Sequence, residues 1–206
     1  MRGRHIPLDP KVAAWRREQR SILLAARAGL PSETRQRATG TVAARLDEIV
    51  ESRDARTIGL YWPIKREINL LPWAEALARR RAVTLCLPVV VTRKAPLEYW
   101  RWRQGEALDR GFWDIPVPAK RDPVTPDLML APLVGFDRAN FRLGYGGGYF
   151  DRTLAALEAS HPPRPFVIGI GYGFSALESI FPEPHDIPMD AVLTELSGGK
   201  EHDVRP

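Results

Sequence analysis

The spacing of apolar positions alternates along the chain between helical stripes and short apolar runs. Val12, Trp15, Ile22, Leu23 and Ala26 share one side of a helix predicted over residues 11–28. Arg16, Arg17 and Arg20 cluster on another part of it, the arrangement of a solvated basic face. Leu30-Pro31-Ser32 breaks that helix, and Ser32, with Glu33 behind it, reads as the N-cap of the next. Val42, Leu46, Ile49 and Val50 form the stripe of that second helix, over residues 33–52. A short apolar strand follows at Arg56–Tyr61, ended by Trp62-Pro63, then a loop from Ile64 to Asn69 that carries Glu67. Leu70–Arg81 is a third helix, with Pro72 tolerated near its start.

The second half repeats the alternation. Val83–Val91 is a strand interrupted by Pro88, and Leu97–Trp102 alternates as an antiparallel edge strand would. Gly105–Pro126, with four prolines and an exposed-looking Phe112-Trp113, reads as irregular. Leu128–Val134 is the central strand, followed by a glycine-rich loop from Gly135 to Gly148 and a helix over Tyr149–Ala159. Pro165–Tyr172 is a strand, Gly173–Phe181 one or two helical turns, Pro182–Pro188 a loop with His185-Asp186, and Asp190–Thr194 a last short strand. Residues 1–10 and 197–206 read as loose ends of a single domain spanning 1–206. Strands alternating with helices predict an α/β fold of three layers, Rossmann-like, with a largely parallel sheet covered on both faces. Ligands bind such sheets at the carboxyl ends of the strands. Three loops follow predicted strands there: Trp62–Asn69, Gly135–Gly148 and Gly173–Pro188.

Composition narrows the class. The 206 residues are 44% hydrophobic and 27% charged, enough for a core and a soluble surface. No apolar run is long enough to span a bilayer, and Met1–Pro10 lacks a signal-peptide core, so the expected location is cytoplasmic, with no membrane partner. A lone cysteine, Cys86, excludes an intrachain disulfide and a multi-cysteine zinc site. The net charge of +5 draws anions. The basic residues are spread along the chain without a run of five, which favours small anions over nucleic acid.

The chemistry is concentrated in Arg142–Arg152. Gly144, Gly146, Gly147 and Gly148 lie between an apolar strand and a helix. Glycines there free the backbone to turn and let a ligand approach the main chain, and the exposed N–H groups suit phosphate oxygens. Asp151, in the first helical turn, is placed to hold a cation near such phosphates. Neither GxGxxG nor GxxxxGK[ST] is present, so neither the dinucleotide fingerprint nor the P-loop applies.

Gly135-Phe136-Asp137 followed by Asn140-Phe141-Arg142-Leu143-Gly144-Tyr145-Gly146-Gly147-Gly148-Tyr149-Phe150-Asp151-Arg152 resembles the signature of the 5-formyltetrahydrofolate cyclo-ligases in its bacterial form. The basic pair Arg16 and Arg20, Glu67 between a strand and a helix, Trp113-Asp114-Ile115-Pro116 and His185-Asp186 match the same family in order along the chain. The resemblance implies an ATP- and magnesium-dependent enzyme that closes 5-formyltetrahydrofolate to 5,10-methenyltetrahydrofolate. It implies ATP contacts from Arg16, Arg20 and the stretch Arg142, Leu143, Gly144, Tyr145, Gly146, Gly147, Gly148, Tyr149 and Phe150. It implies folate contacts from Trp62, Glu67, Trp113 and Tyr145 to Tyr149, magnesium ligands Asp151 and Asp186, and a catalytic pair Arg142 and Tyr149. The expected assembly is a monomer or weak dimer. Members of the family it resembles usually carry Lys where Arg16 stands, and many carry Gln before the Asp186 loop, about where Ser175-Ala176 stand here.

Two other readings compete. One is a non-catalytic nucleotide- or RNA-binding α/β module, which the positive charge supports and the pair Asp151 and Asp186 opposes. The other is a different enzyme on a similar sheet, such as a sugar-phosphate isomerase or a CoA-transferase; the latter would use Glu67 as nucleophile.

Overall fold

A computed structural model describes residues 9–197. The elements run α1 (Pro10–Ala28), α2 (Ser32–Ser52), β1 (Thr57–Gly59), α3 (Leu71–Arg80), β2 (Thr84–Val89), β3 (Glu98–Trp102), β4 (Leu108–Arg110), β5 (Pro116–Pro118), β6 (Leu128–Pro132), β7 (Gly135–Asp137), β8 (Arg142–Leu143), α4 (Tyr149–Ser160), β9 (Phe166–Ile170), β10 (Ala176–Leu177) and β11 (Ala191–Leu193). The main sheet has the order β11-β9-β6-β1-β2-β3, all parallel except the antiparallel edge strand β3. Alternation along the strands makes three layers. Leu128 and Leu130 turn to α2 and α3, joining Val42, Leu46, Val50, Ala74 and Leu77. Met129 and Ala131 turn to the opposite face, with Phe150 and Leu154 of α4. Buried on both faces, β6 reads as a continuous apolar run, as a central parallel strand should. Each leucine buried this way contributes about 2 kcal/mol.

Pro88 sits inside β2 without disrupting it. The Cys86 carbonyl accepts from Leu60 N on the β1 side. Two residues on, the Pro88 nitrogen faces that side again, beyond the last β1 partner of the register, Gly59↔Cys86. No ladder bond is lost there.

Several elements differ from the sequence expectation. Helix α1 buries Arg16, Leu23 and Arg27, while Ile22, placed on the expected apolar side, is 53% exposed. Arg16 and Arg27 therefore lie on the inward face and Arg20 is half-buried, while Arg17 stays exposed as expected. Pro31 is the cap residue of α2, and Ser32 is its first helical residue with no side-chain capping bond. Asp9 caps α1 through Lys11 N at 2.8 Å, and Ser197 accepts at its carbonyl from Arg45 Nε at 3.1 Å. The rest of the expected loose ends lies outside the described residues. The region 105–126 contains a hairpin, β4–β5, joined through a 3-10 turn at Phe112–Asp114. The loops after β6 and β9 hold a small second sheet, β10-β7-β8, too short to signal itself by alternation. Among the described residues no helix is long and apolar enough to cross a membrane.

Candidate active site

Chain order reverses across the sheet between β1 and β6, since β2 lies on one side of β1 and the later strands β6, β9 and β11 on the other. A crevice forms at the carboxyl ends of strands flanking such a switch point. Tyr61 and Trp62 after β1 and Pro132 at the end of β6 line a cavity of about 880 Å³ there. Every site residue expected from the sequence borders it: Arg16, Arg20, Trp62, Glu67, Trp113, Arg142 through Asp151, and Asp186.

Helix α1 supplies a basic wall. Arg16, 7% exposed, donates from Nε to Ile180 O at 2.9 Å and from Nη2 to Phe181 O at 2.8 Å and Asp186 Oδ2 at 2.6 Å. Among the described residues Arg20 donates only from Nε, to Gly144 O at 2.6 Å, and its side chain borders the cavity. Asp137, buried within the Gly135-Phe136-Asp137 motif, organises what lies behind. Its carboxylate accepts from Ala139 N, Phe141 N and Ile180 N at 3.0 to 3.1 Å, shaping the loop before the glycines and tying it to the segment that holds Arg16.

Gly146 has φ 91° and Gly148, the cap residue of α4, has φ 61°, so two left-handed residues form the turn. A Cβ on Gly147 would come within 2.9 Å of the Tyr149 ring and 3.7 Å of Trp113. The turn thus runs backbone-first under those aromatics. Beneath it, Arg142 donates from Nη2 to Asp151 Oδ2 at 2.7 Å and lies 4.6 Å over the Phe150 ring. Burial lowers the Arg142 pKa, but a guanidinium stays protonated. Arg142 Nε and the Tyr99 hydroxyl are buried with no hydrogen-bond partner among the described residues. A buried orphan donor on a cation beside bare glycine backbone fits an anionic oxygen, such as one of a phosphate.

The carboxylates Asp151 and Asp186 lie on adjoining segments, for Ile187 N approaches Asp151 Oδ1 at 3.4 Å. Two carboxylates brought this near would repel, but each has its own arginine, Arg142 for Asp151 and Arg16 for Asp186. Among the described residues there is no group of three or more metal-binding side chains. Two carboxylates fit a hard cation that takes its remaining oxygens from phosphate and water, as magnesium does with nucleotides.

Glu67 lines the same cavity. Its Oε1 accepts from the Tyr145 hydroxyl at 2.6 Å and its Oε2 from Ile64 N at 2.9 Å. Burial pushes its carboxyl above the usual carboxylate range. Burial and the charge of Glu67 also raise the Tyr145 phenol, which keeps it a donor. Lys65 and Arg66, just before Glu67, hold left-handed φ of 46° and 60°. Trp113, 64% exposed, meets Tyr149 edge-on at 5.5 Å across the mouth. Trp62 packs edge-on against core Trp102 at 6.5 Å, so it serves core and cavity together.

Sequence reasoning missed Tyr61, Lys65 and Tyr99 on the cavity wall and Arg27 behind it. Arg27 had a signal: it falls on the helical stripe of Arg16, Arg20 and Leu23.

The 5-formyltetrahydrofolate cyclo-ligase family model matches residues 12–195. A 5-formyltetrahydrofolate cyclo-ligase of Mycolicibacterium smegmatis is 29% identical over 193 residues, covering 87% of this chain and 93% of that one. One of Haemophilus influenzae is 27% identical over 187 residues, covering 86% and 96%. The solution structure of Aquifex aeolicus 5,10-methenyltetrahydrofolate synthetase superposes with a TM-score of 0.75 at 29% identity, covering 88% of this chain and 90% of that one.

Proposed function

The chain belongs to the 5-formyltetrahydrofolate cyclo-ligase family, and from that premise we propose that it closes 5-formyltetrahydrofolate to 5,10-methenyltetrahydrofolate with ATP and magnesium at the cavity described above. Family membership makes it an enzyme and sets aside the non-catalytic binding module. The observation that carries the finer reading is that one cavity is lined both by a basic wall (Arg20, Arg142 and the glycine turn) and by a buried carboxylate, Glu67.

The formyl oxygen of an amide is a poor leaving group. Transfer of the γ-phosphoryl group to that oxygen releases ADP and leaves an iminium phosphate. The N10 lone pair then attacks the formyl carbon, N10 loses its proton, and the C–O bond breaks as phosphate departs with the former formyl oxygen. Such chemistry asks a protein for positioning and charge neutralisation, not for a covalent nucleophile. Arg142 Nε and the terminal groups of Arg20 neutralise phosphate oxygens, and the Gly146–Gly148 backbone lets them approach. Tyr149 and Trp113 flank the flat rings, and Glu67 accepts from the pterin amino and ring N–H groups. A magnesium ion held by Asp151 and Asp186 would add charge neutralisation at the phosphates.

The test mixes protein, ATP, magnesium and 5-formyltetrahydrofolate and follows methenyl-folate absorbance and ADP together. Product forms in step with ADP, and ADP release needs the folate. Equal ADP release without folate overturns the phosphoryl-acceptor role of the formyl oxygen.

A further inference from the structure

Behind the cavity wall lies a cluster that the reaction as drawn does not use. Arg27 on α1 is 2% exposed. It donates from Nη2 to Leu133 O at 2.6 Å and from Nη1 to the Tyr145 hydroxyl at 3.0 Å. The same Nη1 lies 3.7 Å from Glu67 Oε1, with both side chains under 5% exposed, at 3% and 4%. Tyr145 donates onward to that same Oε1 at 2.6 Å. Two segments nearly eighty residues apart, at Glu67 and Tyr145, are thus fixed to each other by a helix that precedes both.

We infer that Arg27 is a positioning residue: anchored on the Leu133 carbonyl, it keeps Glu67 ionised and Tyr145 aimed at it, so that the carboxylate meets the folate as an acceptor. This rests on the reading of Glu67 as a folate contact. A buried carboxylate without a counter-charge takes up a proton and becomes a donor itself. Five titratable groups face Glu67: Arg27 from α1, Tyr145 from the glycine turn, Lys65 from its own loop, Tyr61 after β1 and Tyr172 after β9. Tyr61 and Tyr172 spend their protons on Ile68 O and Arg66 O. Lys65 is exposed to solvent, which screens it. Arg27 is therefore the buried cation that works against the desolvation of Glu67, beside the hydrogen bonds from Ile64 N and the Tyr145 hydroxyl that Arg27 itself helps to aim.

Were Arg27 only a rivet between α1 and β6, its loss would lower the melting temperature and weaken all ligands alike. As a positioning residue it acts on one ligand and on one titration. Binding of 5-formyltetrahydrofolate, followed by tryptophan fluorescence across mildly acidic to mildly alkaline pH, separates the two. We expect Arg27→Met to weaken folate binding about tenfold or more. Its affinity should fall away at a higher pH than in the unaltered protein, because Glu67 then protonates more readily. Binding of a non-hydrolysable ATP analogue should stay within about twofold, a change within the scatter of remote substitutions. Arg27→Lys, which keeps the charge, should restore most of the folate affinity and most of the pH profile. A folded Arg27→Met with unaltered folate affinity and pH profile overturns the inference, as does equal loss of both ligands. If Arg27→Met does not fold, an Arg27→Lys protein whose folate binding and pH profile fall no closer to normal than its ATP binding overturns it equally. Glu67→Gln is the control: if it binds folate normally, the contact itself fails and the inference falls with it, whereas weak binding by Glu67→Gln beside normal binding by Arg27→Met overturns the role of Arg27 alone.

Discussion

Arg142 and Asp151 meet in an ion pair of 2.7 Å at the foot of the glycine turn, with side chains 8% and 13% exposed. The carboxylate proposed as a metal ligand is therefore also the counter-charge of a buried cation. Asp186 stands in the same relation to Arg16, at 2.6 Å. On the proposed reading both carboxylates would couple the ligand-free and ligand-bound states of the site: phosphate drawn to the arginines would free the aspartates, and a cation drawn to the aspartates would free the arginines.

That coupling makes the first prediction sharper than a helix-end or loop-cap role would. Asp151→Asn and Asp186→Asn each leave a buried arginine without its partner, at a cost of about 3 kcal/mol. Each should also raise the magnesium concentration for half-maximal turnover about tenfold, a lost ligand contact of ordinary strength. Thermal melts beside a magnesium titration check both halves. A variant that melts earlier yet keeps the normal magnesium dependence has lost an ion pair and no metal ligand.

The two arginines of α1 should separate. Among the described residues Arg16 is tied by three bonds to Ile180, Phe181 and Asp186, whereas Arg20 is tied by Nε alone to Gly144 O. Arg16→Ala is expected to lower the melting temperature by several degrees, about 2 kcal/mol for its lost buried bonds. Arg20→Ala should change stability little and weaken ATP by about tenfold, one charge-assisted contact. Calorimetric ATP titrations and melts on both variants decide this. The reverse pattern would make Arg16 the nucleotide contact.

How far the sequence foretold this site depends on which force wrote each part. The glycine cluster and its flanking Arg142 and Asp151 are legible because backbone conformation and charge are local properties. So are the stripes of α2 and α3 and the runs at β2, β6 and β9, since burial in a layered sheet repeats with a fixed period. Helix α1 misled because the stripe rule assumes apolar residues point inward. Here the inward face carries Arg16 and Arg27, whose burial is offset by carbonyls and carboxylates from distant segments. Those partners lie more than a hundred residues away, so no local pattern announces them. Strands β7, β8 and β10 escaped for a different reason, being two or three residues long.

Glu67 yields a prediction with an unusual sign. Its carboxyl is raised above the unfolded value of about 4.3 by burial, so the folded state holds its proton more tightly than the unfolded chain. Its contribution is therefore fullest below that unfolded value and is lost as pH rises through the raised one. Most paired carboxylates behave the other way. The melting temperature of the unaltered protein minus that of Glu67→Gln should be most positive at low pH and fall as pH climbs. Paired melts across that range test it. A difference that grows with pH would mean that Arg27 and the hydrogen bonds outweigh burial.

Trp113 offers the cleanest separation of binding from folding. It is 64% exposed at the tip of the β4–β5 hairpin, and it and Asp114 hold left-handed φ of 56° and 62°. A large ring in water on a strained backbone contributes nothing to the core and costs about 1 kcal/mol in conformation. Its edge-on contact with Tyr149, 5.5 Å away, places it where a flat ligand ring would cover it. Trp113→Ala should leave the melting temperature within about two degrees, and Trp113→Gly, which relieves the left-handed strain, should raise it by a few degrees. Both should raise KM for the folate about tenfold, the worth of one aromatic contact, and leave KM for ATP unaltered. Steady-state kinetics with each substrate varied in turn, beside melts, reads all four outcomes. If both variants lose stability and keep the folate KM, the ring braces the hairpin and the folate lies elsewhere in the cavity.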